Sequence, residues 1–213
     1  KVLKVVKGRT LLDYHIERLR WSGAQVIVAT TTNSTDDVLI EFCQKNDVPF
    51  HRGSESNVLE RYYQTAEKFK LDVIVRVTSD CPLNDGRLIA QGIERFVQSK
   101  DTSHLYLCNT QKRTFPRGFD FEIFSSTALR ECCQKATLEY EREHVTPYIW
   151  KSHPEKFAIE HFVRDADDSK FRITVDEADD FRIVQELIEK YSAEKLSCEE
   201  IIQVLRANPY LYE

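Results

Sequence analysis

The chain has no methionine, two tryptophans, six glycines and six prolines in 213 residues. So little glycine and proline excludes a collagen-like or low-complexity polypeptide. No apolar run approaches the roughly 18 residues that suggest a membrane span. The longest candidates, Val26–Ala29 and Val73–Val77, are strand-sized. The six cysteines (Cys43, Cys81, Cys108, Cys132, Cys133, Cys198) show no CxxC pair and no regular framework. Free thiols in a reducing, cytoplasmic compartment are therefore expected, with neither disulfides nor a zinc site. The formal charge of −5 argues against a broad nucleic-acid-binding face and against an anionic membrane surface. No strand precedes the opening basic residues. A strand and a phosphate-binding loop are expected ahead of Lys1.

What is present is an enzyme-sized α/β pattern. With 41% hydrophobic and 31% charged residues the chain can bury one sizeable core. Leu11, Leu12, His15, Ile16 and Leu19 recur at helical spacing, predicting a helix over Thr10–Trp21 with Gly23 beyond its end. Further helices are predicted over Asp36–Asn46, Val58–Phe69, Leu88–Gln98, Ser126–Ala136, Tyr140–Lys151, Phe181–Lys190 and Cys198–Asn208, the last capped by Ser197. Strands are predicted at Gln25–Ala29, Val73–Val77, His104–Asn109, Phe119–Phe124, Phe157–Phe162 and Phe171–Val175. Pro49–Arg52 reads as a short extended piece. Strands alternating with helices indicate an α/β fold. A boundary near Ser192–Lys195 divides a main domain, 1–191, from a C-terminal helical appendage, 192–213.

Four segments could carry chemistry. Arg76–Leu83 is a strand ending in Asp80, and open α/β sheets bind ligands beyond the carboxyl ends of their strands. Asp80 is either a metal ligand or a cap for the following turn. Phe171–Glu177 ends similarly in Asp176, which is either a second ligand or the N-cap of the next helix. Two such carboxylates would suit a metal site for nucleotidyl transfer. In Phe115–Glu122, Asp120 and Glu122 share one strand face, as a polar wall for a sugar or as a solvated face. Tyr140–Tyr148 reads as a charged helix face. Lys1, Lys4, Lys7 and Arg9 form a basic cluster, able to neutralise phosphates or to sit in solvent.

Together these segments resemble the cytidylyltransferases that act on 3-deoxy-manno-octulosonate and acylneuraminate, most closely the spore-coat polysaccharide branch. The resemblance runs in order through Lys1–Lys4, Tyr14–Leu19, Ile27–Thr30, Arg52–Ser54, Asn57–Tyr62, Val75–Leu83, Gly118–Asp120, Tyr140–Tyr148 and Thr174–Asp176. It implies a nucleotide-diphospho-sugar transferase type of three-layer sandwich with a mixed, mostly parallel central sheet. It implies CTP and a sugar as substrates, a CMP-sugar and pyrophosphate as products, and Mg²⁺ as cofactor. Asp80 and Asp176 fall on the metal ligands, and Lys1 on the lysine that ends the phosphate-binding signature. Ser54, Asn57, Arg61, Thr78 and Ser79 lie on the nucleotide side; Asp120, Glu122, Arg142 and His144 lie on the sugar side. A homodimer is expected on the same ground. Ser79 stands where the family usually has glycine, Asn57 where it usually has an acid, and Glu177-Ala178 where it has Thr-Pro. A non-catalytic nucleotide-binding module and a nucleotide-sugar-dependent glycosyltransferase are the other readings of the same features.

Overall fold

A computed structural model of the chain describes residues 1–212. After a two-residue hairpin of β1 (Val5–Val6) and β2 (Arg9–Thr10), α1 spans Leu11–Arg20. Thr10 and Asp13 close a capping box at its start, two orphan backbone donors satisfied reciprocally. Then follow β3 (Val28–Thr31), α2 (Asp37–Lys45), β4 (Phe50–Gly53), α3 (Val58–Phe69), β5 (Val73–Arg76) and α4 (Gly86–Val97). The second half comprises β6 (Leu105–Cys108), β7 (Glu122–Ser125), α5 (Ser126–Lys135), α6 (Glu139–His144), β8 (Ala158–His161), α7 (Ala178–Tyr191) and α8 (Cys198–Ala207).

The strands form two main sheets. β3 pairs with β4 in parallel; β5, β7, β6 and β8 lie in that order, with β6 and β8 parallel and β7 antiparallel to both neighbours. Side chains alternate across the larger sheet. Leu105, Leu107 and Ile123 join a core with α1, α4, α7 and α8. Ile74, Tyr106, Cys108 and Phe124 face the other way, against α3, α5 and the segment of Val145, Tyr148 and Ile149. Helix layers on both faces make the three-layer sandwich. They also explain why these strands read as unbroken apolar runs, the mark of a sheet buried on both sides. Phe121, fully buried in the first core, is one anchor: Phe121→Ala would cost about 3–5 kcal/mol, the transfer term plus the cavity left behind.

The boundary expected near Ser192–Lys195 falls inside this core. Ile201, Ile202 and Leu205 of α8 are fully buried in the same cluster as Phe121 and Ile123. Two polar devices hold the segment. Arg18, wholly buried, donates to the carbonyls of Asn84 (3.0 Å), Ala193 (3.0 Å), Glu194 (3.1 Å) and Leu196 (2.8 Å). Burial pushes its guanidinium down to about 10, still charged at neutral pH. Asp85 caps α4 through the Arg87 amide and also accepts from the Cys198 amide at 2.6 Å, pinning the start of α8.

Several predicted elements differ, and the strand expected over Gln25–Ala29 lies at Val28–Thr31. The strand expected from Phe119 begins at Glu122, because only there does the chain pair with β5 and β6. The helix expected over Tyr140–Lys151 ends at His144. Val145 turns to φ 72°, Pro147 follows, and a π-turn covers Tyr148–Ser152. Phe171–Val175 is extended without entering a sheet. A bridge between Arg117 and Arg172 and backbone hydrogen bonds to Arg117, Asp168 and Asp80 help hold it.

Candidate active site

The site lies at the carboxyl end of β5. The chain leaves the strand at Arg76 and turns through Thr78–Asp80, with the Cys81 amide donating to the Thr78 carbonyl at 3.2 Å. The Thr78 hydroxyl lies 3.6 Å from the Cys81 sulfur, and Ser79 is exposed. The second extended segment arrives alongside: the Val175 amide donates to the Asp80 carbonyl at 2.7 Å, and the Ile173 amide to the Arg117 carbonyl at 2.8 Å. Gly118 permits this approach. It sits at φ 114°, and a Cβ there would lie 2.6 Å from Ile173 Cγ1.

Neither aspartate is a cap. Asp80 is half-buried, and among the described residues its carboxylate meets no hydrogen-bond donor and no cation. The N-cap of α7 is Glu177, and Asp180 accepts from the amides of Asp176 and Glu177. Asp176 instead faces outward between Lys1 (Nζ–Oδ1 3.0 Å) and Arg172. The Lys1 hydrogen bond, aided by Arg172, holds its carboxyl below the usual carboxylate range. Burial pushes the Cys81 thiol well up, and the charges of Asp80, Asp120 and Asp176 add to the shift. Lys1, Asp80 and Asp176 are thus brought together from opposite ends of the chain.

The nucleotide-side residues form a neighbouring turn. Asn57 caps α3 through the Glu60 amide (3.1 Å), the Ser54 hydroxyl accepts from the Asn57 amide (3.0 Å), and Arg61 donates to the Ser54 carbonyl (2.6 Å). Burial lowers the Arg61 guanidinium from its ordinary value, and its Nε has no partner among the described residues.

The sugar-side residues divide. Asp120 takes a two-pronged bond from Arg113 (2.6 and 3.0 Å), near Cys81. Glu122 is in the interior. It is 5% exposed and binds Arg76, the Tyr106 hydroxyl and the Thr146 hydroxyl (2.6 Å). A carboxylate so fully engaged is a structural ion pair. Arg142 and His144 are exposed on α6. Arg142 donates to the Ala136 carbonyl and His144 packs edge-on against Tyr140; neither contacts the Asp80 turn. Among the described residues no three His, Cys, Asp or Glu side chains converge as a ready-made metal cage.

A family model described as Cytidylyltransferase matches residues 1–212. The chain belongs to the cytidylyltransferase family. It is a CTP-utilising nucleotidyltransferase with the nucleotide-diphospho-sugar transferase type of fold. A solved cytidylyltransferase from Leptospira borgpetersenii serovar Hardjo-bovis superposes with a TM-score of 0.93 at 34% identity, covering 99% of this chain and 89% of that one. Among curated proteins, MJ1063 of Methanocaldococcus jannaschii, itself uncharacterized, is 32% identical over 99% of this chain and 86% of its own length. Spore coat polysaccharide biosynthesis protein SpsF of Bacillus subtilis is 30% identical over 98% and 88%.

Two residues of this cytidylyltransferase, His15 and Arg113, have no role assigned from the sequence. His15 is 4% exposed, its Nε2 has no partner among the described residues, and burial pushes it down to about 4 despite the field of Asp80. Its signal was available, a lone imidazole in the apolar stripe of α1. Arg113 had none, because its pairing depends on where residues 109–113 turn back.

Proposed function

We propose that this cytidylyltransferase activates a sugar as its CMP derivative, with Mg²⁺, for a surface polysaccharide. The observation that carries the reading is the Asp80 carboxylate: half-buried, without a partner among the described residues, just beyond a strand end, and hydrogen-bonded through its backbone to the segment of Asp176. Likeness to SpsF, a spore-coat polysaccharide biosynthesis protein, supports a sugar as the acceptor.

Mg²⁺ takes one or two carboxylates and fills its remaining positions with phosphate oxygens and water. The hard oxygens of Asp80 and Asp176 fit that donor set. When bound, the ion neutralises charge on the triphosphate. Lys1 supplies a second cation at the same edge. It pairs with Asp176; with CTP it turns to a phosphate. Arg61, held on the Ser54 carbonyl, faces the nucleotide from α3. The Thr78–Ser79 turn borders the α-phosphate. In the reaction a sugar oxygen bonds to the α-phosphorus, the bond from that phosphorus to the bridging oxygen breaks, pyrophosphate leaves, and the hydroxyl proton passes to solvent. No protein nucleophile is needed; the chain's contribution is positioning and charge.

Pyrophosphate release from CTP, Mg²⁺ and a panel of sugars, with products identified by mass spectrometry, tests the reading. A CMP-sugar is expected. Free CMP from a nucleotide-sugar donor would mark a glycosyltransferase. CTP binding that is unchanged in Asp80→Ala and indifferent to Mg²⁺ would mark a non-catalytic module.

A further inference from the structure

Another buried carboxylate lies away from the Asp80 turn. Asp168 is 2% exposed. Arg206 of α8 grips it with two prongs, Nε to Oδ1 and Nη2 to Oδ2, each 2.8 Å. Arg164, four residues earlier, donates to the same Oδ2, and its other prong reaches Glu199 of α8 at 2.5 Å. The group is charge-balanced, two guanidiniums against two carboxylates. Taking Asp168 out of water would be costly without such partners.

The backbone around Asp168 joins this clamp to the active site on two sides. On one, the Asp168 amide donates to the Thr114 carbonyl (2.9 Å) and the Arg164 amide to the Thr114 hydroxyl (3.0 Å). Thr114 follows Arg113, which holds Asp120. On the other, the Asp168 carbonyl accepts from the Phe171 amide at 3.0 Å. Phe171 opens the extended segment that leads to Asp176. From there the bonds run in series: the Arg117 amide to the Phe171 carbonyl (3.0 Å), the Ile173 amide to the Arg117 carbonyl, and the Val175 amide to the Asp80 carbonyl.

We infer that Asp168 is a positioning residue for the active site: clamped onto α8, it sets the register in which the segment of Asp176 meets the Asp80 turn. Three observations support it. Residues 171–175 are extended without entering a sheet, so no regular strand ladder fixes their slide. A slip of one residue in an extended segment turns every side chain to the opposite side, which would carry Asp176 away from Lys1. Asp168 sits at the base of that segment, its backbone bonded into the segment and its side chain bonded outward. A carboxylate held by two guanidinium forks fixes direction as well as position. Finally, the clamp ends on a rigid element: Ile201, Ile202 and Leu205 of α8 are fully buried in the main core. Asp168 thus acts through Asp176 and Arg113, and α8 becomes part of the catalytic unit. The consequence for Mg²⁺ rests on the proposed reaction; the register does not.

Asp168→Ala would strand two guanidiniums and can fail to fold, so the test uses Arg206→Gln. The Arg206 side chain is 40% exposed, and its loss leaves Asp168 paired with Arg164. Amide hydrogen exchange in the full chain compares Ile173 and Val175 with β6 and β7. Exchange at Ile173 and Val175 should rise by roughly tenfold while the sheet amides stay as in wild type. Arg206→Lys, which keeps the charge without the fork, should reverse part of that rise. No rise at Ile173 and Val175, or an equal rise in the sheet, the mark of a loss of overall stability, would overturn the proposal. In turnover with CTP and a sugar, the Mg²⁺ concentration for half-maximal rate should rise by roughly tenfold in Arg206→Gln. Local opening with that concentration unchanged would uphold the register and remove Asp176 from the metal site, so the two failures are distinguishable.

Discussion

Two carboxylates near the carboxyl end of β5 behave in opposite ways. Glu122, opposite Arg76 in the β5–β7 ladder, is buried and bound by a guanidinium and two hydroxyls. Asp80, four residues beyond Arg76, is half-buried and bound by nothing among the described residues. Taking a carboxylate out of water is costly unless it is paired, so Glu122 is an interior brace. Asp80 is left open where the chain meets solvent, as a group that binds something external must be. The contrast teaches that an acid's proximity to a site does not assign it a role; its partners do.

The sharpest way to break the comparison is Glu122→Gln. Arg76 then keeps a buried charge without its counter-ion, which typically costs about 3–5 kcal/mol. Chemical denaturation should show that loss, with CTP turnover falling only as the folded fraction falls. A Glu122 that binds sugar would instead raise KM for the sugar with stability intact.

Next comes His15, between the two carboxylates in character: buried like Glu122, unpartnered like Asp80. Its folded value, down to about 4, lies below its unfolded value of about 6.5. The unfolded state therefore binds the extra proton between those values, and stability falls as pH drops from about 6.5 to about 4. The loss is at most about 3 kcal/mol. Denaturation at both pH values should show His15→Leu losing this part of the slope and wild type keeping it.

The smallest effect on stability belongs to Lys1→Met. The Lys1–Asp176 pair is exposed, and such pairs contribute less than about 1 kcal/mol. KM for CTP should nonetheless rise, by roughly tenfold, if Lys1 grips a phosphate. Equal KM values would confine Lys1 to the ion pair.

The same contrast separates what the sequence reveals from what it hides. Helix starts are local chemistry, and Thr10, Asn57 and Ser197 mark theirs through side chains three residues from the amides or acids they bind. Asp80 and Asp176 were legible as strand-end acids. Their shared edge was not, because it rests on a single backbone bond across residues 80 and 175. The burial of Glu122 was hidden, because alternation from Phe119 reads as a polar wall for a sugar or as a solvated face. Its partners Arg76, Tyr106 and Thr146 come from three other segments. Pro147 was a legible stop inside the predicted Tyr140–Lys151 helix; the charged residues before it masked the break.

The most direct measurement pairs pyrophosphate release with denaturation for Asp80→Asn in a chain active with CTP, Mg²⁺ and a sugar. The account predicts a fall in kcat/KM of roughly 100-fold or more, with stability within about 0.5 kcal/mol of wild type. Turnover retained, or lost only in step with stability, would contradict it.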